Sequence, residues 1–178
     1  MDIKRIFAEV ETEFPFLEMP GREELIPSTP RYIESTEVQA DLREFQESEL
    51  TKEGIRTIHR YLPVLSDKAI AWIFPHILRF CLLDEATANT RMVTQSFIFS
   101  LSPAIEFHAE TWRRYCLLSD AQIRCLVHFL EWCLEDGYWD SLCMERIHSG
   151  IVFLTSERKL SLDRSSSPSN IGGGHDGY

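Results

Sequence analysis

Apolar residues recur at three- and four-residue steps along most of this chain, and that period commits it to helices. The clearest case is Ile123, Leu126, Val127, Leu130 and Leu134, at offsets of 0, 3, 4, 7 and 11, which share one face of an α-helix. Ser119 and Gln122 stand just before it as a capping box: the serine hydroxyl reaches one backbone amide and the glutamine reaches back to another. Asp2 opens a similar helix through Ile3, Ile6, Phe7, Val10 and Phe14, which Pro15 ends. Ser35 or Thr36 opens the next, with Val38, Leu42 and Phe45 as its stripe. Thr51 caps another through Ile55, Ile58 and Leu62, stopped by Pro63.

Ser66 starts a helix through Ile70, Phe74, Ile77 and Cys81, with Asp67 at the positive end of its dipole. Pro75 falls inside it. Its missing amide hydrogen and its ring against the carbonyl of Ala71 predict a kink or a restart. Residues 76–83 are apolar on nearly every face and are expected to be the most buried part. Asp84 to Asn89 reads as a polar linker. Thr90 to Leu101 is β-branched and aromatic, which leaves helix and strand both open; a lone strand would lack a partner, so helix is expected. Pro103 begins a further helix with Ile105, Phe107, Trp112, Tyr115 and Cys116. Asp136-Gly137 closes the helix behind Ser119. Asp140 caps a last one through Leu142, Cys143 and Ile147, with Gly150 near its end and Ile151 to Leu154 packing back.

Between these segments, residues 15–33 hold Pro15, Pro20, Gly21, Pro27 and Pro30, a density that forbids a long helix. Phe16, Leu17, Leu25, Ile26 and Tyr32 are expected to pin this connector to the body. From Ser156 the composition turns to serine and glycine, which cannot bury enough apolar surface to order itself. The expected fold is therefore all-α: one compact bundle of about seven helices over residues 1–155, with the proline-rich connector inside it and a disordered, flexible tail at 156–178.

Charge narrows the partners. The net charge is −10, and residues 1–50 hold 13 acidic against 5 basic residues. A negative surface repels phosphate backbones and anionic membranes, and no apolar run approaches the ~18 residues of a membrane span. Met1-Asp2-Ile3-Lys4-Arg5 does not begin a signal-peptide pattern. Cys81, Cys116, Cys125, Cys133 and Cys143 are an odd number in apolar surroundings, so reduced, mostly buried thiols and a cytoplasmic location are expected.

No chemical motif is complete. His108-Ala-Glu110 copies half of a zinc deaminase signature, but the C-x-x-C half is missing. Glu145-Arg-Ile-His148 has the Glu-x-x-His spacing of di-iron bundles without its second copy. Cys125, His128 and Cys133 could approach one another on one helix, with Cys116 or His76 as a further zinc ligand, but small hydrophobes beside a helix-boundary histidine is the simpler reading. G-x-S-x-G, P-loop and G-x-G-x-x-G patterns are absent. Trp72, Trp112, Trp132 and Trp139 read as core and interface fillers. No catalytic, cofactor-binding or metal-binding residues are expected, and no enzyme.

Three blocks resemble a bacterial all-helical domain family of unknown function. Leu65, Ser66, Ala69, Trp72, Pro75 and Leu78 match its "Leu-Thr-Pro-Glu-Ala … Leu-Pro" segment, with Asp67 in place of the usual proline. Phe97-Ile-Phe-Ser-Leu-Ser-Pro103 resembles its middle "Leu-Thr-Pro" end. Tyr115 to Gln122 and Phe129-Leu-Glu-Trp132 resemble its "Leu-Thr-x-x-Gln … Phe-Leu" ending. The blocks keep the family's order over residues 65–132. The resemblance implies an all-helical fold in a bacterial cytosol and supplies no catalytic residues.

Together these features lead to a protein-interaction domain, with an acidic immunity or inhibitor protein facing a basic partner as its sharpest form. Glu34, Glu37, Asp41, Glu44 and Glu47 are the expected partner-binding residues, since acidic stripes meet Lys and Arg on a partner and speed association. Two alternatives stand beside it. One is an enzyme or small-ligand binder with a site at the Pro75 kink, where the Ala71 carbonyl is freed and His76 would titrate near neutrality. The other is a structural helical adaptor or homodimer.

Overall fold

The computed structural model describes residues 2–26, 50–83, 88–135 and 137–166. Seven α-helices occur among them: α1 Ile3–Glu13, α2 Lys52–Ile58, α3 Asp67–Leu83, α4 Ala88–Leu101, α5 His108–Arg114, α6 Asp120–Glu135 and α7 Ser141–Ser166. Three 3-10 turns join them at Arg22–Glu24, His59–Val64 and Ile105–Phe107. No strand occurs among the described residues.

The starter residues act as their chemistry dictates. Asp2 Oδ1 accepts from the Lys4 amide at 3.1 Å, Thr51 Oγ1 from Gly54 at 3.1 Å, and Ser66 Oγ from Ala69 at 3.1 Å. Asp140 Oδ1 accepts from Cys143 at 2.8 Å. The capping box closes in both directions: Gln122 N donates to Ser119 Oγ at 3.1 Å, and Ser119 N donates to Gln122 Oε1 at 2.8 Å. Each satisfies amides that the first helical turn leaves without partners.

Helices α1, α3, α4, α6 and α7 surround one core, with α6 on α7, α4 on α7, α1 on α6 and α3 on α4 as the main contacts. Helix α3 runs through the middle. Eleven of its 17 residues are buried, Pro75 among them, as the all-round apolar pattern requires. Edge-to-face rings tie the layers together. Phe74 meets Phe97 at 5.1 Å and Tyr115 at 5.6 Å, and Phe97 meets Phe129 at 5.5 Å. Such pairs add about 0.5–1.5 kcal/mol each beyond their buried area. Tyr115 keeps its polar tip satisfied by donating to Ser100 O at 2.6 Å.

Three expectations change. Helix α3 does not restart at Pro75; it is continuous from Asp67 to Leu83, because a buried apolar surface on both sides of the proline outweighs one lost hydrogen bond. Residues 90–101 are helical as expected, as part of α4. Only a 3-10 turn and the short α5 occupy the stretch after Pro103. Gly150 lies inside α7, which runs from Ser141 to Ser166, rather than at its end. A Cβ on Gly150 would sit 3.0 Å from Leu130 Cδ1 and 3.1 Å from the Leu101 carbonyl oxygen. The glycine is there because α4, α6 and α7 converge at that point.

Helix α1 is fixed by its far end. Its last carbonyls would otherwise lack partners. Gln122 Nε2 donates to Glu13 O at 2.8 Å, and Arg79 Nη1 donates to Phe14 O at 2.8 Å and to Pro75 O at 3.0 Å. Farther along, His128 Nδ1 lies 2.9 Å from both Glu9 carboxylate oxygens.

Gly150→Val should destabilise the fold by about 1–3 kcal/mol, the usual range for overpacking, with a Tm loss on the order of 2–4 °C per kcal/mol for a chain this size. Arg79→Met should cost about 1.5–3 kcal/mol, the range for hydrogen bonds involving a charged group. Urea titrations measure both, and a variant as stable as the parent would contradict the corresponding assignment.

Candidate functional site

The connector after α1 is tied to the start of α3 by backbone and side chain together. The Ser66 amide donates to Leu25 O at 3.0 Å and its hydroxyl to Glu24 O. Lys68 Nζ pairs with the Glu24 carboxylate, whose other oxygen accepts from the Gly21 amide at 3.2 Å. That pairing holds the Glu24 carboxyl below its ordinary range and raises Lys68. Leu25 and Ile26 are buried beneath the turn.

Ahead of this anchor the chain stands off from α3 and leaves an open cleft of about 380 Å³. Leu17, Met19 and Pro20 form one wall, Ala71 and Trp72 of α3 the other, and Leu117 closes one side. Glu18, Gly21, Glu24 and Lys68 complete the lining, so its charged groups carry an acidic excess of one. Leu117 is 54 % exposed and Leu17 47 %, which leaves large apolar side chains facing water. Because Pro75 has no amide hydrogen, it returns no hydrogen bond to the Ala71 carbonyl, and Ala71 lies in the wall.

His76 does not line this cleft. Its ring stacks on Phe16 at 4.6 Å and meets the edge of Trp72 at 5.7 Å, while the Arg79 guanidinium covers Phe16 at 4.3 Å. Burial, with Arg79 nearby, pushes its pKa down to about 4. The expectation of a histidine titrating near neutrality is thus corrected: the ring is a neutral packing element.

The remaining sequence candidates are dispersed. His108 packs on Phe153 at 4.8 Å, and His148 Nδ1 lies 2.8 Å from its own helix's Met144 carbonyl. Glu145 is exposed. Cys125 and Cys133 are buried while His128 turns to Glu9. Burial raises the Cys81 and Cys125 thiols to about 12 and Cys143 to about 11, far from thiolate at neutral pH. Among the described residues no cluster of three His, Cys, Asp or Glu could hold a metal ion, and no helix is long and apolar enough to cross a membrane. Glu34, Glu37, Asp41, Glu44 and Glu47 lie outside the described residues.

Nothing in the sequence marks Leu17 to Glu24 as the wall opposite α3, because the Glu24–Lys68 and Ser66–Glu24 contacts link residues more than 40 positions apart. No protein-family model, curated protein or solved structure matches the chain.

A histidine with a lower pKa folded than unfolded binds fewer protons in the native state. Its stabilising effect is complete above the ordinary 6.5 and is lost as pH falls from there toward about 4. His59, lowered by its own burial, acts in the same direction. Urea midpoints at pH 7, 5 and 4 should therefore fall less steeply for His76→Gln than for the parent; parallel curves would contradict a neutral, buried His76.

Proposed function

We propose that this chain is a non-catalytic protein-interaction domain whose cleft between residues 17–24 and α3 receives a segment of a basic partner. The observation that carries the reading is the pairing, in one 380 Å³ cleft, of the exposed apolar side chains Leu17 and Leu117 with an acidic excess from Glu18 and Glu24 over Lys68. An apolar side chain from the partner would take the space between Met19 and Trp72, and a neighbouring Lys or Arg would face Glu18. The net charge of −10 favours basic partners through faster encounter. An immunity or inhibitor role against a basic toxin is the most specific form of this proposal.

A small ligand in the same cleft is a second reading, favoured by the Ala71 carbonyl, which a ligand donor could satisfy.

Fluorescence anisotropy with short labelled peptides separates the two readings. Peptides combining Trp or Leu with Lys or Arg should bind, weaken as salt is raised, and lose at least about tenfold, roughly 1.4 kcal/mol, on Glu18→Lys with Leu117→Lys. Both side chains are exposed, so Tm should hold. Equal binding of acidic peptides, or indifference to the double variant, would exclude the basic-partner reading.

A further inference from the structure

A second, separate groove of about 320 Å³ lies between the start of α4 and the start of α7. Gly137 makes it. Its φ of +64° is the left-handed backbone that turns the chain sharply after α6, and Tyr138 and Trp139 then fold back toward α4. The Arg91 guanidinium carbon lies over Tyr138, 3.4 Å from the ring centre. Arg91, Gln95, Trp139 and Asp140 all line the groove, with Met92 and Ala88 as its apolar side.

Among the described residues, Arg91 has no carboxylate within ion-pair distance and the Gln95 amide makes no hydrogen bond. The indole N–H of Trp139 is buried without an acceptor. Buried donors are ordinarily satisfied, so this N–H is available to an acceptor on a bound group. Asp140 gives one carboxylate oxygen to the Cys143 amide and keeps the other. The groove thus offers one fork of guanidinium donors, one free carboxylate oxygen and an apolar wall.

We propose that this groove binds a small zwitterion of the α-amino-acid type with an apolar or aromatic side chain. Stacking on Tyr138 holds the Arg91 plane, leaving its N–H edge to grip a carboxylate in two parallel hydrogen bonds. The free Asp140 oxygen accepts from the ammonium group, and Gln95 adds a donor or an acceptor. The carboxylate also accepts from the Trp139 indole N–H, and the ligand's side chain lies along Met92 and Ala88. Charge decides between a zwitterion and a simple anion. Arg91 and Asp140 cancel each other, and a chain of net charge −10 repels a free anion while leaving a neutral zwitterion unaffected. The site does not depend on the cleft proposed for a basic partner, and the two share no lining residue.

The test is calorimetric titration of the full chain with L-phenylalanine, 3-phenylpropanoate and phenethylamine, which carry both charged groups, the carboxylate alone and the amine alone. L-phenylalanine should bind best, each of the others at least about tenfold more weakly. Arg91→Met should weaken L-phenylalanine at least tenfold, and Gln95→Ala severalfold, with Tm unchanged in the absence of ligand. Trp139→Phe should remove the fluorescence change on binding. Absence of L-phenylalanine binding at millimolar concentration, 3-phenylpropanoate binding as tightly as the amino acid, or equal affinity in a folded Arg91→Met protein would each overturn the proposal.

Discussion

The end of α1 is where this molecule joins itself together. A helix leaves its last carbonyls without intrahelical donors, and carbonyls placed against a core cannot turn to water instead. Gln122 from α6 and Arg79 from α3 supply the donors for Glu13 and Phe14. Three helices far apart in sequence are thereby fixed at one point. Gln122 serves two helices at once, since its oxygen closes the capping box of α6 while its nitrogen ends α1. Arg79 likewise reaches Phe14 and its own helix at Pro75, and its plane covers Phe16. The direction in which the chain leaves α1 follows from those bonds, and so does the place where the connector faces Trp72.

Around that point the core repeats one device. Rings from α3, α4, α6, α7 and the turn after α5 meet edge to face, and each is closed to solvent. Polar side chains inside the core return to nearby carbonyls: Thr94 to Thr90 and Ser102 to Ile98. This arrangement absorbs the β-branched and hydroxylated residues of α4 without strand formation. It also accounts for the thiols, which act as small apolar groups where burial opposes their charge.

What the sequence made legible was local. Asp2, Thr51, Ser66, Ser119 and Asp140 each have a side-chain oxygen suited to a helix start, and each occupies one in the structure. The apolar stripe of Ile123, Leu126 and Leu130 is buried. Non-local facts were out of reach. Gly150 looks like a helix end in sequence, since glycine favours that position; its interior place follows from how closely α4 and α6 approach. Pro75 looks like a break, yet the continuity of α3 depends on what packs on either side. His76 carries no mark of its aromatic stack, because Phe16 lies on a different segment. Neither groove has a signature: one needs the Ser66–Glu24 tie, the other the turn at Gly137.

Of the five cysteines, four are enclosed and Cys116 alone is exposed. It immediately precedes Leu117 at the rim of the cleft facing Trp72. The chain therefore carries a natural attachment point beside this cleft. A thiol-reactive dye would settle there without engineering and would report occupancy of that rim, while the enclosed sulfurs stayed silent.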